Sequence, residues 1–338
     1  MNNSKKTENH VMVIAEVGSV HDGSFGNALN LIKTAASCGV DAVKFQTHIP
    51  EAETLPDAPM PPYFKGEPRY DYFKRTGFSL NQWLEIKSCC EKNGVLFLSS
   101  PFSEEAVHLL EKVGMEQYKI PSGEVSNLPM LEVIANTHKP ILLSSGMSSW
   151  EELDSAVNLI LRSHDKLIVL QCTSAYPCPH DQVGLNVMLE MAERYKLPVG
   201  LSDHTLTNYA SFAAVTLGAK VIEKHFTFSR NMYGSDAAHS LEPDELSDLV
   251  NGIRAISTML TSEVDKADIR NYQGMKKIFE KSLIAAVDIS AGNVLDRTFV
   301  SIKKPGTGIS AARLSEFLGR KLTRNIKSGH IFGEDDFE

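Results

Sequence analysis

The sequence predicts an α/β fold, a (β/α)8 TIM barrel followed by a small C-terminal α+β domain. Three observations carry this prediction: apolar runs recur eight times, each run ends in polar residues, and helix-forming segments separate the runs. Strands and helices that alternate in this number are typical of the barrel, whose active sites lie where the strands end. A chain of 338 residues exceeds what a minimal barrel needs, so a second domain is expected.

The predicted strands are continuously apolar, as in Val11-Met12-Val13-Ile14 and Ile168-Val169-Leu170. Continuous apolar runs indicate parallel strands that are buried on both faces, because a strand with one face in water alternates apolar and polar residues. The predicted strands cover residues 11–16, 42–48, 95–102, 118–124, 140–147, 167–176, 199–205 and 220–227.

The helical segments between these strands carry start and stop signals. Ser103 precedes two glutamates as an N-cap, Ser149 begins a capping box, and Gly94 follows the last turn of its helix. The residue pattern and these capping signals together predict helices over residues 27–38, 80–93, 104–113, 149–162, 186–195, 208–217 and 243–260.

Residues 49–78 form a connection much longer than the others, rich in proline and in aromatic residues. In a compact barrel such a loop usually covers the active site or contacts another subunit, and a flexible insertion is the alternative. We predict a lid or a contact arm, in which the aromatic residues are contact surface; they are Tyr63, Phe64, Tyr70, Tyr72 and Phe73.

The alternation of strands and helices stops after Leu260. We assign residues 1–265 to the barrel, 266–281 to a linker and 282–338 to a small α+β domain with short apolar runs and a Pro305-Gly306-Thr307-Gly308 turn. A domain of this size is marginally stable alone, so we expect it to dock on another surface.

Composition disfavours several classes of function. A net charge of -8 without a localised basic patch disfavours nucleic-acid binding. No apolar run reaches the roughly 20 residues of a membrane-spanning helix, and the first residues are polar, so we expect a cytoplasmic protein without membrane contact. Five cysteines without a Cys-x-x-Cys pair disfavour a disulfide framework, and Cys172, at a strand end, is interpreted as barrel lining rather than a nucleophile.

The residues that could do chemistry lie at the strand ends, which meet at one rim of a barrel. Their polar mixture suits a small, charged, oxygen-rich ligand. They are Glu16, Lys44, Gln46, Ser100, Lys119, Ser122, Glu124, Ser144, Ser174, Tyr176, Ser202, His204, Glu223 and His225.

His204 and His225 follow two strands that are neighbours in the predicted ring, so both rings can face the same cavity. Two imidazoles with oxygens from substrate or water suit a divalent ion, and hydrogen-bonded wall residues are an equal alternative from spacing alone. Glu16, on the strand beside the last one, is the candidate third ligand or proton carrier.

Lys44 and Lys119 emerge from the second and fourth strands among serine hydroxyls. Ammonium groups among hydroxyl donors favour a phosphate or carboxylate ligand. Two alternatives stay open: a lysine paired with Glu124 or Glu16, and a lysine that forms a Schiff base, which needs a depressed pKa.

At these residues the chain resembles the sialic acid synthase family over nearly its whole length. The C-terminal domain resembles the antifreeze-like (SAF) domain that accompanies this barrel. The matching stretches are Ile14-Ala15-Glu16-Val17-Gly18, Val43-Lys44-Phe45-Gln46-Thr47, Tyr118-Lys119-Ile120-Pro121-Ser122-Gly123-Glu124, Ser144-Ser145-Gly146-Met147, Cys172-Thr173-Ser174-Ala175-Tyr176-Pro177, Gly200-Leu201-Ser202-Asp203-His204-Thr205, Glu223-Lys224-His225-Phe226-Thr227 and Gly234-Ser235-Asp236.

The resemblance implies roles for individual residues. His204 and His225 would bind a divalent metal ion, expected to be Mn²⁺ with Mg²⁺ or Co²⁺ as alternatives, and Glu16 would have an acid-base role. The remaining positions divide between two substrates. Phosphoenolpyruvate would contact Lys44, Gln46, Ser100, Lys119, Ser122, Ser144 and Ser202, and the sugar would contact Glu124, Ser174, Tyr176, Glu223, Asp236 and Lys304.

The implied reaction condenses phosphoenolpyruvate with an N-acetylhexosamine and releases phosphate. We expect N-acetylmannosamine as the acceptor, with sugars that lead to legionaminic or pseudaminic acid, a phosphorylated sugar, or a Schiff-base aldolase as alternatives. A sugar-binding or ice-binding protein is the non-enzyme alternative. The resemblance also implies a domain-swapped homodimer.

Two residues depart from the family pattern. Val20 replaces an asparagine that many relatives carry near Glu16, so a polar contact there is absent or supplied by another residue. Lys304-Pro305-Gly306 replaces Arg-Pro-Gly, and a lysine offers a point charge instead of a planar guanidinium. Both changes bear on which sugar the protein accepts.

Overall fold

Eight parallel strands form one sheet in the computed structural model, which describes residues 10–59 and 67–338. The strands are β1 Met12–Gly18, β2 Ala42–Thr47, β3 Leu96–Pro101, β4 Tyr118–Ile120, β5 Ile141–Ser144, β6 Leu167–Cys172, β7 Val199–Asp203 and β8 Val221–His225. Their hydrogen-bonded order is β3-β2-β1-β8-β7-β6-β5-β4, and β3 also packs against β4. The sheet therefore curls into a barrel, which confirms the predicted fold class.

Helices surround this sheet in chain order. They are α1 Phe25–Ser37, α2 Pro50–Glu53, α3 Arg69–Thr76, α4 Leu80–Lys92, α5 Glu104–Val113, α6 Leu128–Ala135, α7 Trp150–Leu161, α8 Leu185–Tyr195, α9 Tyr209–Thr216 and α10 Pro243–Thr261. Within the described ranges, no helix combines the length and apolar character that crossing a membrane requires.

Helix α6 is absent from the sequence prediction. It is almost entirely apolar, and Met130, Leu131, Ile134 and Ala135 are all buried, so it lacks the polar face that marks an amphipathic helix. A local signal was nevertheless present, because the Asn127 side chain accepts a hydrogen bond from the backbone of Met130 as an N-cap does.

Seven of the eight predicted strands extend too far at their carboxyl ends, whereas β1 runs two residues beyond its predicted end, to Gly18. The run at 118–124 is a strand only over Tyr118–Ile120 and continues as a 3-10 turn over Ser122–Glu124. The runs at 140–147 and 167–176 likewise stop at Ser144 and Cys172. Beyond these points the backbone leaves the sheet and carries polar side chains over the rim.

Side chains that alternate in direction along the strands fill the barrel interior in layers, two of which position the site. Because side chains of a strand point to opposite faces in turn, residues two apart share a face. One layer is apolar and consists of Ile14, Ala42, Leu98, Leu142, Leu170 and Val221. Two residues further along, the same strands present Glu16, Lys44, Ser100, Ser144, Cys172 and Glu223.

The described parts of the predicted insertion at 49–78 form α2 and α3 and pack on the loop after β1. The Tyr72 hydroxyl donates to the Ser19 carbonyl at 3.1 Å, and Arg75 pairs with Asp22 at 2.7 Å. Tyr63 and Phe64 lie outside the described residues. The role as a lid or contact arm stays a prediction.

The described chain divides into two compact units, Met1–Ser262 and Glu263–Glu338. The second unit contains the antiparallel strands β9 Ser282–Ala285 and β10 Val300–Lys303, the short helix Leu314–Phe317, and a core that includes Leu283 and Phe332. Helix α11, Gln273–Phe279, falls within the predicted linker and is held to this unit, because Gly306 donates to the Lys277 carbonyl at 2.8 Å.

Candidate active site

Every site residue predicted in the barrel lines one cavity of about 520 Å³ at the carboxyl ends of the strands. The structure thus brings together residues from all eight strands and the loops that follow them. The predicted residues found there are Glu16, Lys44, Gln46, Ser100, Lys119, Ser122, Glu124, Ser144, Ser174, Tyr176, Ser202, His204, Glu223, His225 and Asp236.

Four buried charged side chains, the ion cluster, lie at the bottom of this cavity: Glu16, Lys44, Lys119 and Glu223. Lys44 Nζ is 3.0 Å from Glu16 Oε2 and 3.3 Å from Glu223 Oε2, and Lys119 Nζ is 3.2 Å from Glu223 Oε1. None of the four is more than 6% exposed. The pair Lys44–Glu16 is one of the alternatives left open by the sequence.

Glu223 is placed on the sugar side by the resemblance but lies between the two lysines in the structure. Its carboxylate also accepts a hydrogen bond from Ser202 Oγ at 2.9 Å. Lys119 belongs to β4 and Glu223 to β8, which stand opposite each other in the ring, so this contact crosses the barrel interior. Glu124 instead accepts a hydrogen bond from Asn127 at 2.8 Å.

Burial and neighbouring charges separate the two carboxylates of the ion cluster. Burial raises the pKa of Glu16 to about 7, against the attraction of Lys44 and with added repulsion from Glu223. Burial also acts to raise the pKa of Glu223, but Lys119 and Lys44 outweigh it and hold that pKa well below its usual range. Glu16 can therefore carry a proton near neutral pH while Glu223 stays ionised.

The two lysines differ as well. Burial acts to lower the pKa of Lys44, but Glu16 and Glu223 outweigh it and raise that pKa above its usual value. Burial lowers the pKa of Lys119, with only partial compensation by Glu223. An ammonium group has three donors, and the pair with Glu223 uses one, so Lys119 retains donors for a ligand.

Serine hydroxyls supply further donors around the lysines. Ser100 Oγ accepts from Lys44 Nζ at 3.3 Å, and Ser122 Oγ accepts from the Gly146 backbone at 3.0 Å. Among the described residues the buried Ser144 hydroxyl has no hydrogen-bond partner. A Cβ at Gly146 would lie 2.5 Å from Ser174 Oγ and 2.6 Å from Ser122 Oγ, so only glycine lets these hydroxyls approach.

His204 and His225, the imidazole pair, face each other with ring centroids 5.4 Å apart. His204 Nδ1 is 2.8 Å from the Thr173 carbonyl, which can only accept, so Nδ1 carries a hydrogen when this bond is made and Nε2 is the nitrogen left for a ligand. The His225 Nδ1 atom is buried and, within the described ranges, has no hydrogen-bond partner.

The charge state of the imidazole pair bears on metal binding. Burial lowers the pKa of His225 to about 4, so its ring is neutral near pH 7. Burial acts in the same direction on His204, but Cys172 and the Thr173 carbonyl outweigh it and raise the pKa of that ring. A metal ion and a proton would therefore compete for Nε2 of His204.

Residues 10–59 and 67–338 contain no group of three or more histidine, cysteine, aspartate or glutamate side chains arranged to hold a metal ion. The imidazole pair nevertheless fits a divalent ion that takes its other ligands from substrate or water, because one buried ring nitrogen lacks a partner and the other ring is oriented by a carbonyl.

The cavity lining also carries neutral and acidic groups suited to hydroxyls, among them Tyr176 beside the imidazole pair. The Tyr176 ring lies 4.2 Å from that of His204 and 5.9 Å from that of His225. Asp236 approaches Gly18 so closely that a Cβ there would lie 2.7 Å from its carboxylate. Burial raises the pKa of Glu124.

Both departures from the family pattern have a structural place. Val20 is buried in the barrel core, and Glu16 instead receives a hydrogen bond from Gln46 Nε2 at 2.9 Å. Lys304 belongs to the second unit, where its ammonium group stands 4.9 Å from the centroid of the Phe279 ring.

Sequence reasoning missed several residues that line the cavity, among them His48, Arg69 and Phe102. The interpretation of Phe73 as contact surface was wrong, because this side chain is buried and lines the cavity. The His48 ring is stacked between Phe73, at 3.5 Å, and Phe102, at 4.1 Å. Its position at the end of the predicted strand 42–48 was a usable signal, because strand ends collect functional side chains in this fold.

Family models match both parts of the chain. A model of the NeuB family matches residues 31–265, and a SAF domain model matches residues 280–338. The chain belongs to the NeuB family. The resemblance stated from the sequence motifs is thereby confirmed.

Individual relatives agree with this assignment. The chain is 38% identical to N,N'-diacetyllegionaminic acid synthase of Campylobacter jejuni, over 96% of this chain and 99% of the relative. It is 33% identical to N-acetylneuraminate-9-phosphate synthase of Homo sapiens, over 96% and 91%. A crystal structure of N-acetylneuraminic acid (sialic acid) synthetase from Leptospira borgpetersenii serovar Hardjo-bovis in complex with citrate superposes with a TM-score of 0.70 at 29% identity, covering 79% of this chain and 91% of that one.

Proposed function

We propose that this protein is a nonulosonic acid synthase, which condenses phosphoenolpyruvate with an open-chain acylamino hexose and releases phosphate. The observation that carries the proposal is the convergence of two buried lysines and the imidazole pair on one cavity. The relatives named above support the class, because their names are those of synthases for acids of this kind.

Phosphoenolpyruvate would occupy the end of the cavity beside the lysines. Its phosphate and carboxylate carry charges that suit Lys44 and Lys119, and the Ser144 hydroxyl would gain a partner. Because Glu223 already pairs with Lys119, the ligand anion would share or replace that contact. Such binding in a dry cavity strengthens each charge interaction.

The acylamino hexose would lie beside the imidazole pair, in contact with Tyr176, Asp236 and Glu124. His204 and His225 would hold the divalent ion, Mn²⁺ in our proposal, with Mg²⁺ or Co²⁺ as alternatives. Such an ion supplies Lewis-acid polarisation of a substrate oxygen.

The residues of this chain then orient the two substrates for bond formation. C3 of phosphoenolpyruvate forms a bond with the aldehyde carbon, the aldehyde oxygen takes up a proton, water adds at C2, and the tetrahedral intermediate expels inorganic phosphate. Glu16, with its pKa near 7, is the group placed to exchange the proton. Holding both substrates in contact can supply up to about 7–11 kcal/mol of the barrier reduction.

The acceptor is proposed as a class, an acylamino hexose. N-acetylmannosamine is the acceptor expected from the motifs, while the relatives are named for legionaminic, pseudaminic and N-acetylneuraminate-9-phosphate synthesis. A domain-swapped homodimer in which Lys304 reaches the sugar of the neighbouring subunit also belongs to the proposal.

Phosphate release tests the function directly. The purified chain is incubated with phosphoenolpyruvate, Mn²⁺ and a panel of acylamino hexoses that includes N-acetylmannosamine and its phosphorylated form. We expect phosphate release that depends on one acceptor and is lost with chelator. Release without any acceptor, or none with every acceptor, would contradict the proposal.

A Schiff-base aldolase is the second candidate, favoured by the depressed pKa of the buried Lys119. Borohydride added during turnover separates the two. The synthase predicts no covalent adduct, whereas the aldolase predicts a pyruvate-derived adduct on a lysine, found by mass spectrometry, and turnover in the presence of chelator.

A further inference from the structure

A chain of hydrogen bonds leads from the insertion to Glu16. Glu53 of α2 lies 2.8 Å from His48 Nδ1, and His48 Nε2 lies 3.1 Å from Gln46 Oε1. Gln46 Nε2 in turn donates to Glu16 Oε1 at 2.9 Å. The Gln46 amide is thus held at both ends, by His48 on one side and by Glu16 on the other.

The His48 ring has little freedom to move. It is stacked between Phe73 of α3 and Phe102, with interplanar angles of 18° and 20°. The side chains of His48 and Glu53 are each only 4% exposed. The Glu53 carboxylate and Gln46 Oε1 both accept, so the ring donates from Nδ1 and from Nε2 when both contacts are made. Burial lowers the pKa of His48, and the Glu53 carboxylate opposes that shift.

Only a few side chains can hold an amide in this way. A glutamine amide has a donor end and an acceptor end, and its terminal torsion is soft, so it rotates freely unless both ends are bound. An imidazole nitrogen can donate or accept and therefore matches either end. A phenyl ring of the same shape would fill the stack and leave the amide free.

We propose that His48 is a positioning residue for the condensation, which fixes the Gln46 amide and through it the Glu16 carboxyl group. This inference rests on the proposed function, in which Glu16 exchanges a proton with the reactants. It also gives the insertion a part in the reaction, because α2 supplies Glu53 and α3 supplies Phe73. Fixed side chains of this kind keep a site within the tolerance that catalysis needs.

Substitutions at His48 test the proposal by separating its two nitrogens. His48→Phe keeps the stacked ring and removes both nitrogens, and we expect kcat to fall about 10- to 100-fold with little change in KM for phosphoenolpyruvate. His48→Gln places an amide near the position of Nε2 and is expected to restore much of kcat. His48→Asn places its amide near Nδ1, which retains the contact with Glu53 alone, and is expected to resemble His48→Phe. Equal kcat for the Gln and Asn variants would overturn the proposal.

A measurement independent of activity keeps this inference distinct from the proposed function. We expect the losses in melting temperature of His48→Phe and Gln46→Met to be less than additive in the double variant, because each removes the same contact. Additive losses would overturn the positioning role even in an active enzyme. Failure of the wild-type chain to release phosphate would overturn the proposed function instead. The contact between His48 and Gln46 would then have no role in catalysis.

Glu53→Gln and Glu51→Gln form a matched control pair on α2. Glu51 is exposed and pairs only with the exposed Lys74, at 2.9 Å, among the described residues. We expect Glu51→Gln to leave kcat unchanged. Glu53→Gln retains an oxygen acceptor for Nδ1, so its kcat should lie between those of the wild type and His48→Phe, and a value below that of His48→Phe would contradict the proposal.

Discussion

The ion cluster and the imidazole pair differ in how completely the protein matches their polar groups. In the ion cluster every charged group has an oppositely charged partner within 3.3 Å. In the imidazole pair, one buried nitrogen of His225 has no hydrogen-bond partner among the residues that the structure describes. The ion cluster therefore pairs its charges internally, although Glu16 Oε2 and Glu223 Oε2 accept no hydrogen bond among the described residues, whereas the His225 ring nitrogen has neither kind of partner there.

This difference predicts how each half responds to a ligand. An anion at the ion cluster competes with Glu223 for Lys119, so its affinity reflects the difference between two ion pairs. A ligand at the imidazole pair meets no internal competitor at His225 and restores a missing interaction. Substitutions at the imidazole pair should therefore lower activity alone, whereas substitutions in the ion cluster should lower both activity and stability.

The largest effect is expected at the imidazole pair. His225→Ala should reduce metal-dependent phosphate release by at least the roughly 10–100-fold that even indirect partners of a metal contribute. The melting temperature should change little, because the lost ring nitrogen has no partner within the described ranges. Phosphate release and thermal unfolding measure the two quantities.

His108→Ala, an exposed histidine on α5, is the matched control and should keep full activity. Retention of activity by His225→Ala, or full wild-type activity in the presence of chelator, would show that the imidazole pair does not bind the ion.

A smaller effect is expected in the ion cluster, where stability and activity should both suffer. Lys119→Met should raise KM for phosphoenolpyruvate by roughly 10- to 150-fold, since a charged hydrogen bond contributes about 1.5–3 kcal/mol. The free energy of unfolding should fall by less than the roughly 3–5 kcal/mol of an isolated buried pair, because Lys44 remains beside Glu223.

The double variant Lys119→Met with Glu223→Gln sharpens this test. Removing the unpaired carboxylate should recover stability but not affinity for phosphoenolpyruvate. A rise in KM for the sugar alone would place Lys119 in the wrong half of the cavity.

The smallest effect is expected where the two halves meet. Gly146→Ala would push Ser122 and Ser174 apart, which should cost about 1–3 kcal/mol of stability and raise KM for both substrates. Gly26→Ala is the control, since a Cβ there meets nothing within 4 Å. Equal stability of the two variants, measured by denaturant unfolding, would contradict the tight approach of the two hydroxyls.

The barrel could be predicted because its signals are local. Continuous apolar runs and capped helices identify β1 to β8 along the chain, and polar residues at their ends identify most of the rim. Helix α6 could not be predicted in this way because its sequence is almost entirely apolar and shows no amphipathic periodicity. Strand ends were misjudged where rim residues follow the apolar run without a clear break in the sequence, as at Ser122–Glu124.

Contacts that cross the ring could not be predicted from neighbouring strands. Glu223 on β8 reaches Lys119 on β4, and nothing in the spacing of the two residues indicates that pairing. The series of hydrogen bonds from Glu53 to Glu16 could not be predicted either, because it depends on side-chain orientations fixed by Phe73 and Phe102. Sequence patterns identify which residues share the rim, while packing decides which of them touch.

The apolar layer of the barrel interior also bears on the order in which the two substrates bind. This layer consists of Ile14, Ala42, Leu98, Leu142, Leu170 and Val221. It seals the cavity from below, so a reactant bound to the lysines has to arrive through the mouth. The sugar, seated nearer that mouth, would then block the way in. We therefore expect compulsory-order kinetics in which phosphoenolpyruvate binds first, because the apolar layer closes the barrel beneath the lysines.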